Sequence, residues 1–361
     1  MKKVVILLAP TPPPAGGIAS WTERMLATTL PEGWGLELVD TKLLSGDEVF
    51  HRKRRFVREL RRQVKILIEL NKFLKLKSTV LVHSATPAGK LGLCREFLCL
   101  MLTKIYRKKY IVHYRCTLPN VIEDPVHQFL FKLTAKLSDY AIFLNENSSL
   151  FFKEHISGVP SGIVPNFIEN SSTPREPKNI EDASTIKNLL FVGGVVASKG
   201  SYTLLEAARR LPNFNFNLVG FIDPAIKIES MPSNFILHGE KPKSEVEKEY
   251  QNNHIFLFIG NFRSEGFSNA LVEAMSFGLP CIVSDWASNA DMIEAEGGLV
   301  IPPNDVDCLV ESIVRISRNT TFYNSASEWN LRKVRAAYCE NVVVKKYFHV
   351  YESLALHYRS A

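Results

Sequence analysis

The stretch SEGFSNALVEAMSFGLP, residues 264–280, indicates a loop that runs into a helix. Ser268 is of a residue type that commonly begins helices, whereas Gly278 and Pro280 are typical of a helix end. The apolar run at residues 254–258 indicates a buried strand, so the helix should begin at the carboxyl end of a parallel sheet. A helix N-terminus at this place favours an anion such as a diphosphate.

Two carboxylates flank this predicted anion site. Glu265 and Glu273 are separated by seven residues, and Gly266 lets a ligand approach the backbone closely because it has no Cβ. A carboxylate near a diphosphate is unfavourable unless it accepts hydrogen bonds from hydroxyl groups. We therefore expect Glu265 to bind the hydroxyls of a sugar and Glu273 to bind a ribose diol. Taken alone, the pair is also compatible with a loop glutamate and a solvated glutamate on a core helix.

Strands and helices alternate along the whole chain, which predicts an α/β fold with two doubly wound parallel sheets. Strand candidates lie at residues 3–9, 79–83, 109–114, 140–144 and 161–164, and then at 188–193, 214–219, 234–237, 254–258, 280–284 and 298–301. Helix candidates lie at residues 20–29, 52–77, 92–107, 126–137, 201–210, 243–252, 268–277 and 305–317. Asp305 is expected to cap the last of these helices and not to bind a metal.

One polar segment without periodicity, residues 168–186, interrupts the alternation and contains two prolines. A chain of 361 residues is long enough for two domains. The sequence therefore predicts a Rossmann-like domain over residues 1–170 and a second over residues 171–339, with the terminal helix 340–361 packing back on the first. Because open α/β sheets bind ligands at the carboxyl ends of their strands, we expect the two domains to face each other across a cleft.

Charge is distributed unevenly between the two predicted domains. The net charge of the whole chain is +7, but residues 1–170 carry +10 and the remainder carries −3. The basic first domain should therefore face an anionic partner. No apolar run approaches the roughly 20 residues of a membrane-spanning helix. The apolar start of the chain is better explained by a buried strand than by a signal peptide, and the six cysteines show no metal-binding spacing.

The predicted helix at residues 52–77 contains eleven lysines and arginines and only two glutamates. Apolar residues recur along it at Phe56, Leu60, Val64, Leu67 and Leu74. Such a helix can lie on an anionic membrane surface, although the same stripe could pack on the sheet while the cations are solvated. No aromatic platform or recognition motif accompanies the charge, so nucleic acid is not an expected partner.

The phrase EGFSNALVEAMSFGLP, residues 265–280, resembles the Glu-x7-Glu motif of the retaining glycosyltransferases of family four. Shorter resemblances to that family occur in register along the chain, at the segments AGGIA (15–19), IVH (111–113), VPN (164–166), FVG through KG (191–200) and GGLVIPPND (297–305). The resemblance implies the GT-B fold, with an acceptor-binding first domain and a second domain that binds a nucleotide sugar.

The resemblance also assigns roles to individual residues. It implies that Lys199 offsets the charge of the leaving phosphate, that His113 contacts the donor, and that Glu265 acts at the sugar. Further contacts to the donor are expected from Gly16, Gly17, Gly193, Gly266, Phe267, Ser268, Asn269 and Glu273. The family's chemistry implies no covalent nucleophile, no cofactor and no metal ion.

The sequence departs from the family at Gly194, where members usually carry an arginine. Arg263 or Arg115 could supply the missing cation. The predicted function is a retaining glycosyltransferase that moves a sugar from a nucleotide-diphosphate sugar to a glycan or lipid-linked acceptor. We expect it to act in bacterial surface polysaccharide or lipopolysaccharide synthesis, peripherally on the inner face of the cytoplasmic membrane. The alternatives are a sugar-nucleotide 2-epimerase of the same fold and, because of Gly194, a non-catalytic subunit; the donor and acceptor stay open.

Overall fold

The computed structural model describes residues 2–13, 16–42, 56–86, 89–170, 175–226 and 231–356. The chain forms two compact units, of which unit 1 comprises Met1–Phe167 and Glu340–Ala361 and unit 2 comprises Ile168–Cys339. The division follows Phe167, whereas the sequence analysis placed it after residue 170. Some residues of the predicted elements lie outside the described part of the chain, namely 52–55 of the basic helix, 171–174 of the linker and 357–361 of the terminal helix.

The elements alternate as the apolar periodicity predicts. The strands are β1 (Lys3–Ala9), β2 (Trp34–Asp40), β3 (Thr79–Thr86), β4 (Lys109–Tyr114), β5 (Tyr140–Phe143), β6 (Ser161–Ile163), β7 (Asn188–Val192), β8 (Asn215–Val219), β9 (Phe235–Gly239), β10 (Ile255–Phe258), β11 (Cys281–Ser284) and β12 (Gly298–Ile301). The helices are α1 (Gly17–Ala27), α2 (Phe56–Leu74), α3 (Lys90–Ile105), α4 (Pro125–Leu137), α5 (Glu146–His155), α6 (Ser201–Arg210), α7 (Lys243–Asn252), α8 (Asn269–Ser276), α9 (Asn289–Ile293), α10 (Val306–Ser317), α11 (Thr320–Ala337) and α12 (Glu340–Leu356).

Unit 1 contains a parallel sheet with the strand order β2-β1-β3-β4-β5-β6. Successive side chains of a strand point to opposite faces, so the fully apolar strand β1 contributes to two cores. Ile6 and Leu8 pack in the core formed with α2 to α5, whereas Val5 and Leu7 pack in the core formed with α1 and α12. The terminal helix α12 therefore completes one face of the first sheet.

Unit 2 contains a second parallel sheet with the order β12-β11-β10-β7-β8-β9. The chain moves outward from β7 through β8 to β9, then returns to the other side of β7 to place β10, β11 and β12. The order therefore reverses between β7 and β10, which is where doubly wound sheets bind their ligands. The two six-stranded parallel sheets confirm the predicted α/β architecture.

Several elements differ from the sequence predictions. Strand β2 and helices α5, α9 and α11 were not predicted, and β3 extends three residues beyond the predicted end at residue 83. The predicted capping role of Asp305 is confirmed, because its side chain accepts a hydrogen bond from the Cys308 N–H at 2.9 Å at the start of α10.

The apolar stripe proposed for the basic helix belongs to two faces of α2. Leu74 is buried in the core with Ile66 and Leu70, whereas Leu60 and Val64 are exposed. The described part of the chain contains no helix that is both long enough and apolar enough to cross a bilayer.

Candidate functional site

The first component of the site in unit 2 is the loop between β7 and α6. Lys199 ends a short 3-10 turn, Ala197–Lys199, and Gly200 is the N-cap of α6 in the left-handed conformation, with φ of 82°. A Cβ at residue 200 would lie 2.9 Å from the Ile259 side chain, so glycine is required both by its dihedral angle and by the space. This turn holds the lysine at the carboxyl end of β7.

The second component is the loop between β10 and α8, in which the motif at residues 264–280 begins. The Ser268 hydroxyl accepts a hydrogen bond from the Leu271 N–H at 3.2 Å, which confirms Ser268 as the N-cap of α8. Behind the cap, Leu271 and Val272 are buried and anchor the helix to the sheet. The helix N-terminus consequently lies at the carboxyl end of β10, as predicted.

The two loops touch through their backbones at the point where the strand order reverses. The Asn261 N–H donates to the Ser198 carbonyl at 2.9 Å. A Cβ at residue 260 would lie only 2.3 Å from the Cα of Lys199, so only glycine permits this approach. Gly260 thus fixes the lysine-bearing turn against the motif loop.

Lys199 and Glu265 face each other in this arrangement. The Lys199 Nζ lies 3.9 Å from the Glu265 Oε2, at the outer limit of an ion pair. The ammonium also lies 5.3 Å from the centre of the Phe262 ring and 5.9 Å from that of Phe258, within the range of cation–π attraction. Burial raises the pKa of Glu265, and the charge of Lys199 opposes that rise.

Several supporting residues were not found by sequence reasoning. Phe258, Phe262 and Trp286 line the recess around Lys199 and Glu265. The Trp286 Nε1 donates to the Phe262 carbonyl at 2.9 Å, and the Ser288 hydroxyl donates to the Gly266 carbonyl at 2.9 Å. The segment after β11 therefore holds the motif loop in place, although no local pattern in the sequence indicates this role.

The remaining predicted donor residues of unit 2 lie around the same turn. Gly266, Phe267 and Ser268 are buried in the loop, and Asn269 is the first residue of α8. Glu273, a little over one turn into α8, accepts a hydrogen bond from the Tyr250 hydroxyl at 3.2 Å.

Gly193 and Gly194 follow β7 directly. A Cβ at Gly193 would lie 3.8 Å from the Lys199 Nζ, which places this glycine next to the lysine. At Gly194 the nearest atom to an added Cβ is Val196 Cγ1 at 3.7 Å, so the backbone there has room for a side chain. Of the alternative cations, Arg263 is exposed in the motif loop, two residues before Glu265.

In unit 1, His113 lies on β4 with no exposed surface. Its Nδ1 lies 3.0 Å from His83 Nε2, and its Nε2 lies 3.2 Å from an Arg115 Nη1. On the far side, His83 Nδ1 lies 2.6 Å from the Tyr351 hydroxyl of α12. His113 therefore belongs to a buried chain of polar groups, and its predicted contact with a donor stays a prediction.

The tautomers of both histidines follow from Arg115. A guanidinium can only donate, so His113 Nε2 must accept and its Nδ1 carries the proton. His113 then donates to His83 Nε2, and His83 Nδ1–H donates to Tyr351. Burial and the nearby charge of Arg115 lower the pKa of His83 to about 3 and that of His113 well below its usual value, so both rings are neutral.

Gly16 and Gly17, the other predicted site residues of unit 1, begin α1. Gly16 is the N-cap with φ of −177°, an extended conformation open to any residue, and an added Cβ would meet no atom within 4 Å. The N-cap position of α1 is thus a residue without a side chain, and among the described residues none restricts the space beside it.

Comparison with known proteins gives the family context of this site. Residues 186–319, which lie within unit 2, match the sequence model of the family described as Glycosyl transferases group 1. The chain is 27% identical over 172 residues to the O-antigen chain mannosyltransferase C of Escherichia coli, covering 46% of each chain. It is 24% identical over 182 residues to the amylovoran biosynthesis glycosyltransferase AmsK of Erwinia amylovora, covering 46% of this chain and 45% of the relative. The matches span less than half the length of these relatives, which are glycosyltransferases of bacterial polysaccharide synthesis.

Solved structures give the fold. A sucrose-phosphate synthase from Thermosynechococcus elongatus aligns with a TM-score of 0.77 at 16% identity, covering 98% of this chain and 99% of that chain. HepE from Anabaena, solved in complex with UDP, aligns with a TM-score of 0.70 at 12% identity, covering 97% and 100%. These neighbours are GT-B glycosyltransferases, and the likeness confirms the predicted GT-B fold.

Proposed function

We propose that the protein is a retaining glycosyltransferase that transfers a sugar from a nucleotide-diphosphate sugar to a glycan or lipid-linked acceptor. The process it serves is the synthesis of a bacterial surface polysaccharide or lipopolysaccharide. One observation carries the proposal: Lys199, Glu265 and the N-terminus of α8 converge at the reversal point of the unit 2 sheet. In this proposal unit 2 binds the donor and unit 1 binds the acceptor.

Each component has a defined task in the transfer. The Lys199 ammonium and the α8 N-terminus stabilise the negative charge that develops on the leaving diphosphate. Glu265 accepts hydrogen bonds from hydroxyls of the donor sugar, and Glu273 accepts them from the ribose. Gly193, Gly266 and the residues Phe267 to Asn269 bring the backbone close to the donor. The buried surroundings of Glu265 strengthen these interactions because little water competes for them.

Retention requires the acceptor to attack the face from which the diphosphate departs. The leaving phosphate takes the proton of the acceptor hydroxyl, so the chain supplies no covalent nucleophile and no general base at the anomeric carbon. Charge neutralisation by Lys199 replaces a metal ion in this scheme. Transfer in the presence of a chelator is therefore expected to equal transfer without it.

The donor site can be tested without knowledge of the acceptor. A panel of nucleotide-diphosphate sugars should contain one that raises the melting temperature by mass action and is slowly hydrolysed. Glu265→Gln should abolish this hydrolysis, whereas Glu296→Gln, a change at an exposed glutamate of the same unit, should not alter it. Hydrolysis that survives Glu265→Gln would remove the site assignment. If the product is an epimerised nucleotide sugar, the protein is an epimerase and not a transferase. If no nucleotide sugar in the panel raises the melting temperature, the result favours a non-catalytic subunit.

The acceptor side of the proposal includes an anionic membrane surface, on the inner face of the cytoplasmic membrane. On α2, Leu60, Val64 and Ile68 are about half exposed at intervals of four residues, which places them on one helical face. Exposed cations flank this face, among them Arg61 and Lys65. An apolar face bordered by cations is the pattern of a helix that lies in a lipid interface.

Helix α3 adds a second exposed apolar face to the same side of the sheet. Leu91, Leu98 and Ile105 recur every seven residues and are 59%, 48% and 73% exposed. Because α2 and α3 pack against each other, the membrane-binding surface we propose comprises both helices.

Vesicle flotation tests this surface. The protein should float with vesicles that contain anionic lipid, less so at high salt, and not with zwitterionic vesicles. The double variant Leu60→Ser, Ile68→Ser should lose flotation, while Leu150→Ser, at an equally exposed leucine on α5, should retain it. If all three proteins float equally, the α2 face does not bind the membrane.

A further inference from the structure

Arg115 is a buried cation without a buried anion. Its side chain lies just after the end of β4 and is only 7% exposed. The Nη2 donates to the Asn166 Oδ1 at 2.5 Å, the Nη1 donates to His113, and the Tyr347 hydroxyl is a further partner. All of these partners are neutral, and none of the described carboxylates lies within ion-pair distance of the guanidinium.

Burying an unpaired charge is unfavourable, and buried arginines are normally matched by a carboxylate. In the same unit the buried Arg62 follows this rule and forms an ion pair with Glu59. The Arg115 Nε also has no hydrogen-bond partner. The fold therefore maintains a desolvated positive charge with one N–H donor that has no partner. Such a group favours the binding of an anion from outside the chain.

The surroundings of Arg115 keep its guanidinium fixed and charged. Its Cζ lies 4.5 Å from the centre of the Trp21 ring on α1, and Trp21 donates to the same Tyr347 hydroxyl at 3.2 Å. Because His113 can offer only its lone pair, it orients the guanidinium without adding charge. Tyr347 and Tyr351 bring α12 into this arrangement, so the terminal helix positions the cation through two hydroxyls.

The position of Arg115 matches an anion site at the ligand-binding edge of the sheet. It follows the carboxyl end of β4, and Trp21, on which it stacks, lies about one turn from the N-terminus of α1. That terminus adds a partial positive charge at the same edge.

We propose that Arg115 is an anion-binding residue of unit 1, held by His113, Asn166 and Tyr347, and that its ligand is a phosphate or diphosphate group. The anion site follows from the unpaired cation, whereas the choice of phosphate rests on the proposed glycosyl transfer. The phosphate has two possible sources, the nucleotide donor and a lipid-linked acceptor.

The test measures binding of inorganic pyrophosphate to the full chain by calorimetry at constant ionic strength, in a Lys199→Met background that weakens the unit 2 site. Binding should persist in Lys199→Met and in Lys199→Met with Arg107→Met, a change at an exposed arginine of the same unit. It should fall at least tenfold when Arg115→Met is added to Lys199→Met. Arg115→Lys retains the charge but not the planar guanidinium, so it should weaken binding by a smaller factor. This variant keeps the proposal testable if Arg115→Met does not fold. Equal pyrophosphate affinity in Lys199→Met and in its Arg115→Met and Arg115→Lys derivatives would overturn the proposal.

The source of the phosphate is resolved by two further ligands, UDP and a short-chain prenyl phosphate. If Arg115→Lys weakens UDP, the site binds the donor, and if it weakens the prenyl phosphate, the site binds the acceptor; each result supports the anion site. The outcome is independent of the donor experiment. If the parent protein hydrolyses no donor but binds pyrophosphate through Arg115, only the proposed function is contradicted. If it hydrolyses a donor through Glu265 but pyrophosphate binding does not depend on Arg115, only this inference is contradicted.

Discussion

The two units contain similar parallel sheets, but the polar groups at the carboxyl ends of their strands differ in charge and in burial. Unit 2 holds a partly exposed ion pair, Lys199 and Glu265, in two loops that touch through glycine. Unit 1 holds a fully buried chain of neutral groups that ends in one unpaired cation, Arg115. Under the two proposals, the lysine near solvent stabilises charge that develops during the reaction, whereas the buried guanidinium fixes the position of an anion. The predictions below test this contrast.

Among the variants that test this contrast, the largest effect is expected from Lys199→Met. Removing a group that stabilises charge in the transition state costs about 10²- to 10³-fold in turnover. The loss should appear in kcat for donor hydrolysis, while the fold, followed by circular dichroism, stays unchanged because Lys199 is partly exposed. A change in KM alone would mean that the lysine binds the donor without stabilising the departing phosphate.

Next in size is the contact between the two unit 2 loops. In Gly260→Ala the added methyl group would overlap the backbone of Lys199, and overpacking of this kind costs about 1–3 kcal/mol. The melting temperature and the hydrolysis rate should both fall. Gly194→Ala is the matched control, since its methyl group has room, and it should leave the melting temperature unchanged. Equal behaviour of the two variants would mean that the loops are not held together at Gly260.

The buried histidines of unit 1 and Glu265 of unit 2 should contribute to the pH dependence of stability with opposite signs. His83 and His113 stay neutral when folded but gain protons when unfolded, so the unfolded state binds more protons below pH 6.5 and stability falls as the pH drops from 6.5 toward about 3. Each histidine contributes up to about 1.4 kcal/mol per pH unit. The pKa of Glu265 is raised above 4.5, so the folded state holds its proton to a higher pH than the unfolded state does. Stability therefore falls as the pH rises from 4.5 through this raised pKa.

Hydrogen exchange measured by mass spectrometry separates these effects by unit. Peptides from β4 and α12 should lose protection between pH 6.5 and pH 4.5. The Glu265→Gln variant should gain stability relative to the parent as the pH rises above 4.5. Constant protection of the β4 peptides across this range would contradict the buried neutral histidines.

The smallest effect is expected from restoring the family residue at Gly194. The backbone has room for Gly194→Arg, and a charge-assisted hydrogen bond contributes about 1.5–3 kcal/mol before the side chain is ordered. A roughly threefold to tenfold gain in nucleoside diphosphate affinity is expected from calorimetry. Gly194→Gln supplies the length without the charge and should give no gain. If the two variants bind alike, the position does not face the phosphate.

Local patterns in the sequence determined the fold. Periodicity separated buried strands from amphipathic helices because burial on two faces requires continuous apolar runs. Strand β2, WGLELVD, was not predicted because its polar and partly exposed residues interrupt the continuous apolar run that marks a strand buried on both faces. The motif at residues 264–280 placed Ser268 and Glu265 correctly because capping and turn chemistry act over a few neighbouring residues.

Only the tertiary structure decided what lies beside those residues. The approach of Gly260 to Lys199, the support of the motif loop by Trp286, and the contacts of His113 with His83 and of Arg115 with Asn166 join positions from 24 to 61 residues apart in the sequence. The burial of His113 also depends on α12, which returns more than 200 residues later in the chain. Such contacts depend on strand order and on side-chain packing, and neither leaves a periodic signal in the sequence.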